Sequence, residues 1–98
     1  MAETKELRDL IAMIHHVNNL WHLCMACDSP TLSLFYLEYK NFLQIELLKT
    51  YDKKTEIIED PNATLPNGDA CGLIKIRGSK LDGCHIPLKF VQNLEKQH

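Results

Sequence analysis

TLSLFYLEYKNFLQIELL, residues 31–48, is the stretch whose reading decides the fold. Eleven of its eighteen residues are apolar or aromatic. On a helix, Leu32, Phe35, Tyr36, Tyr39, Phe42, Leu43 and Leu47 make one broad face. Leu34, Leu37, Ile45 and Leu48 make a second, and Ser33, Lys40 and Gln44 share only a narrow polar strip. A surface helix shows one apolar stripe, whereas a helix apolar nearly all round is buried nearly all round. The helix is therefore expected at the centre of the fold, or lending a face to a partner. Phe35 and Phe42 are expected in the core.

Working outward, Asp28-Ser29-Pro30 marks a break. Ser29 suits an N-cap, and Pro30 suits the first helical position, where its missing N–H is not needed. Before the break, Leu7, Leu10, Ile14, Val17, Trp21 and Cys24 recur at alternating spacings of three and four, with Ile11 and Met25 widening the stripe. This pattern predicts a helix over residues 4–27. Arg8, His15, Asn19 and His22 lie on another face and should meet water, while Glu3 and Glu6 suit the positive N-terminal end. So short a break makes the two helices antiparallel neighbours.

The second half reads differently. Residues 55–60 (TEIIED) suggest a short strand. Residues 61–72 read as loop, with two prolines and Asn67-Gly68. Leu73 to Arg77 alternates, with Ile74 and Ile76 on one side. Cys84, Ile86, Leu88 and Phe90 alternate against His85, Pro87 and Lys89, predicting a strand over residues 84–90 with Pro87 at an edge. A last helical turn is expected from Val91, with Leu94 inward. The fold expectation is α+β: an antiparallel helical hairpin (1–52) packed on a small two- or three-stranded antiparallel sheet with loops and a short C-terminal turn (55–98), in one domain spanning 1–98.

Composition narrows the function. The chain has 98 residues, 45% of them hydrophobic and 24% charged, as in an ordinary globular domain. Its net charge of −2 runs against a basic nucleic-acid-binding domain. No stretch is long and apolar enough for a transmembrane helix, and the acidic start MAETKELRDL lacks a signal core, so a cytoplasmic protein is expected. The charge is uneven: residues 1–70 carry six Lys and Arg against eleven acids, and residues 71–98 carry five against two. Lys75, Arg77, Lys80 and Lys89 are candidate contacts for phosphates or an acidic partner. The same lysines also read as the solvated face of a ribbon.

Four cysteines, Cys24, Cys27, Cys71 and Cys84, are the candidate zinc ligands. The Cys24–Cys27 pair ends a helix, however, where zinc and redox CxxC pairs are not usually built. Plain thiols in a reducing compartment, with no cofactor, are the expectation. Cys24 lies in the seam and Cys71 in a loop, so Cys24→Ser is expected to damage folding more than Cys71→Ser. No nucleophile elbow, phosphate-cradling glycine loop or HExxH occurs, so no catalysis is expected. What remains is a non-catalytic protein-interaction module, a small adaptor, subunit or inhibitor of a larger protein, or a chain that pairs with its own copy. No membrane partner is expected. The contact residues of that reading are Trp21, Leu34, Phe35, Tyr36, Leu37 and Tyr39. The rival is a zinc-stabilised nucleic-acid-binding or regulatory factor built on the cysteines and the basic hairpin.

Overall fold

The computed structural model describes residues 4–64 and 68–96, with side chains described to Gln92. Glu3, Asn67 and the side chain of Leu94 lie outside the described residues. Two long helices, α1 (Lys5–Ala26) and α2 (Pro30–Thr50), precede strands β1 (Thr55–Thr64), β2 (Ala70–Ile76) and β3 (Asp82–Pro87) and a last helix α3 (Leu88–Lys96). The strands form one antiparallel sheet in the order β1-β2-β3. The helices pack as a hairpin on this sheet, an α+β arrangement.

The hairpin bend follows from its local chemistry. Thr4 caps α1 by accepting the N–H of Leu7 at 3.1 Å. At the other end Asp28 takes φ +56°, a left-handed conformation that Asp tolerates. The N–H of Ser29 donates to the Cys24 carbonyl at 3.0 Å, and that of Asp28 to Met25 at 3.2 Å. These paired bonds satisfy the last carbonyls of α1. Ser29 thus closes the first helix through its backbone, and its side chain makes no cap bond to the second.

The core joins Leu7, Ile11, Ile14 and Val17 of α1 and Leu43 and Leu47 of α2 to Ile74, Ile76 and Ile86 of the sheet. The seam expected on α1 is largely buried, although Leu10 and Cys24 are half-buried and Met25 is exposed.

Helix α2 departs from expectation in a specific way. Its polar strip faces inward: Gln44 is 0% exposed and Lys40 only 3%. Phe35 and Phe42, expected in the core, are each 58% exposed. Strand β3 supplies the reason. It is an edge strand, and its free-edge carbonyls need donors. Gln44 Nε2 donates to the Gly83 carbonyl at 2.8 Å and to the His85 carbonyl at 2.9 Å. An apolar residue there leaves two acceptors unpaired, so the helix lays its polar strip against the sheet edge and turns its aromatic side outward.

The strands differ from expectation at their ends. β1 runs on through Pro61 to Thr64, and β2 starts at Ala70, so much of the expected loop is strand, with a register shift between Asp60 and Thr64. β3 stops at Pro87, and Leu88 and Phe90 belong to α3. Proline adds no ladder donor and suits a helix start, so the chain turns helical there. Gly72 lies under this helix: a Cβ on it would stand 2.8 Å from Leu88 Cδ2 and 2.5 Å from Ile57 Cγ2.

Candidate functional site

Between β2 and β3 the register shifts: Leu73 pairs with His85, but Lys75 pairs with Asp82. Two residues, Gly83 and Cys84, therefore oppose Ile74 alone. Such a bulge re-aims side chains. Gly83 faces Leu47 and Ile74, and a Cβ at this position would stand 2.7 Å from Leu47 Cδ2 and 3.2 Å from Ile74 Cβ, so these side chains would have to shift. Cys84 takes φ +65°, a strained value for a residue with a side chain, and turns into a cavity of about 400 Å³. The cavity lies between α1, residue 40 of α2, the end of β1 and the bulge.

The bulge is held by Asp82, whose Oδ1 accepts the N–H of Cys84 at 3.0 Å. His15 reaches over from α1. Its Nε2 lies 2.7 Å from the Asp82 carbonyl and 3.5 Å from Asp82 Oδ1. A carbonyl only accepts, so Nε2 carries the proton. Cys84 Sγ lies 3.4 Å from Nδ1 and 3.9 Å from Nε2, so the sulfur packs against the imidazole ring. Burial pushes the Cys84 thiol up to about 11, Lys40 opposing and Asp82 reinforcing the shift. The thiol is therefore protonated at neutral pH. His15, expected in water, is half-buried in this contact.

Lys40 is a buried charged residue in the cavity lining. Its Nζ stands 4.8 Å from the centre of the Trp21 ring, a cation–π contact. It makes no ion pair or hydrogen bond among the described residues. Burial pulls its pKa below the ordinary lysine value, against smaller opposing influences of Cys84 and Cys71. At the cavity's far side His85 Nε2 meets Asp60 Oδ2 at 3.0 Å. The His85 hydrogen bond, then the Asn62 N–H, hold the Asp60 carboxyl below its ordinary value.

The residues named from sequence are distributed as follows. Leu34, Phe35 and Tyr39 are exposed on α2, Tyr36 and Leu37 are half-buried, and Trp21 is a cavity wall rather than a surface anchor. Cys71 and Cys84 line the cavity, whereas half-buried Cys24 and exposed Cys27 lie at the end of α1; all four are free thiols. The four do not gather: among the described residues the group able to hold a metal is His15, Asp82 and Cys84. Cys71 is a buried strand residue, not a loop residue, and it is more buried than Cys24. On burial alone, the serine substitution is expected to be more damaging at Cys71 than at Cys24. Lys75, Arg77, Lys80 and Lys89 do not form one patch. Lys89 pairs with Asp69 at 3.0 Å, before the start of β2, while Arg77 and Lys80 lie in the turn beyond its other end. The eight residue steps from Asp69 to Arg77 span roughly 26 Å at the rise of a strand.

Sequence reasoning missed Lys40, His15 and Asp82 as neighbours. The one available signal was the spacing of Lys40 and Gln44, one turn apart on the strip between two apolar faces. No helix is long and apolar enough to cross a membrane among the described residues. No family model, curated protein or solved structure matches the chain.

Proposed function

We propose that the protein is a non-catalytic interaction module of the cytoplasm that docks through the outward face of α2. One observation carries the reading: Leu32, Leu34, Phe35, Tyr39 and Phe42 are exposed on a helix that buries Lys40 and Gln44. Contiguous exposed apolar surface of this kind marks interaction sites in soluble proteins, and aromatic side chains dominate interface energies.

The spacing on this face suggests the partner. Phe35, Glu38, Phe42, Ile45 and Lys49 recur at intervals of three and four, the seam of one helix laid along another. Glu38 and Lys49 carry opposite charges eleven residues apart. Antiparallel pairing about a two-fold axis near residues 43 and 44 sets Glu38 against Lys49 of a second copy at both ends. Phe42 then meets Ile45. Two-fold pairing through one shared patch is the commonest form of self-assembly.

Light scattering on the eluting protein is expected to give about twice the 11.3 kDa chain mass at tens of micromolar. Phe42→Glu should dissociate the pair, as should Glu38→Lys. Adding Lys49→Glu to Glu38→Lys should restore it. A monomer at every concentration, or a pair indifferent to all three changes, refutes this reading.

A further inference from the structure

We propose that the cavity between α1 and the β3 bulge binds a small ligand bearing an oxyanion, a carboxylate or phosphate group, which Lys40 neutralises. The site is independent of the outward face of α2. Lys40 lies deep in the fold, and among the described residues its ammonium stands over the Trp21 ring with no ion pair. Desolvating an ammonium without an anion is expensive, and such groups are normally paired. The nearby groups do not pair it. The Cys84 thiol is neutral, and the Asp82 carboxylate accepts the Cys84 N–H and lies 3.5 Å from His15 Nε2, with no ion pair to Lys40 among the described residues.

The rest of the lining supports an anion. His22, Asn18 and Thr64 offer N–H or O–H groups to the same space, and Trp21 and Leu73 provide apolar wall. The cavity has room for a small molecule's anionic head and a short body. The bulge and the left-handed Cys84 are retained against their strain beside this space, as is usual at binding sites. A metal ion is the competing occupant of His15, Asp82 and Cys84. It needs a thiolate, and it would sit in the same cavity as the Lys40 ammonium, so charge favours the anion.

Trp21 is the single tryptophan of the chain and carries the Lys40 ammonium on its ring, so its fluorescence reports the site. The wild-type protein is titrated with inorganic phosphate and separately with acetate, against chloride at equal ionic strength. A saturable change with either anion and not with chloride is expected. Phosphate alone assigns a phosphate ligand, and acetate alone a carboxylate. Lys40→Met should weaken the response about ten- to hundredfold, the worth of one charged hydrogen bond. Lys40→Arg should retain it in part. An undiminished response in folded Lys40→Met overturns the proposal. So does the absence of saturation with both anions in the wild type, a result that needs no variant to fold.

Discussion

Replacing Lys40 by methionine should make the protein more stable. Lys40 is 3% exposed and makes no ion pair among the described residues. Burying an unpaired ammonium costs several kcal/mol even after relaxation, and part of that is avoided when the amine gives up its proton. Losing the contact with Trp21 returns about 1–2 kcal/mol. Methionine keeps the unbranched stem and fills the same channel at little packing cost. The net gain is about 2 kcal/mol, or roughly 8–16 °C in Tm for a domain this small. The measurement is urea and thermal unfolding, followed by circular dichroism in a buffer free of phosphate and carboxylate. The pH dependence has a fixed sign. The folded pKa of Lys40 lies below its ordinary value of 10.5, so folding releases a proton. The penalty is present in full below the lowered folded pKa, shrinks as pH rises through it, and is gone above about 10.5, where both states are neutral. The advantage of methionine should shrink over the same range. A variant less stable than the wild type at pH 7 would refute the reasoning, because it would show that the ammonium has a stabilising partner.

Gln44→Leu should destabilise by about 2–4 kcal/mol, since it leaves the Gly83 and His85 carbonyls without their donor; urea midpoints at unchanged m-value check this. Gly83→Ala should cost about 1–3 kcal/mol through overpacking against Leu47 and Ile74, and wild-type stability would remove the stated reason for glycine in the bulge. Stability should fall as pH drops through the lowered pKa of Asp60, because the bonds from His85 and Asn62 favour its ionised carboxylate. His85→Gln should flatten that acid limb, as seen in unfolding curves from pH 6 to pH 2. Exposed Cys27 should react with a thiol reagent at neutral pH well before buried Cys71 and Cys84, and equal rates at all would contradict the burial described.

The α+β class, the two helices and their bend at Asp28-Ser29-Pro30 were legible in the chain, because periodicity and capping chemistry act over a few residues. The α1 seam is a single stripe, and a single stripe can face only one way. Helix α2 carries apolar residues on both sides of Lys40 and Gln44, so periodicity showed that it is helical but not which side is inward. That choice belongs to the free edge of β3, whose carbonyls attract Gln44 and draw Lys40 in beside it. The alternation from Cys84 to Phe90 likewise could not reveal the bulge at Gly83 and Cys84 or the helix after Pro87. His15, Lys40, Asp82 and Cys84 meet across long stretches of chain. Their meeting depends on strand register and helix placement, which are set by contacts between elements and not by the residues within any one of them.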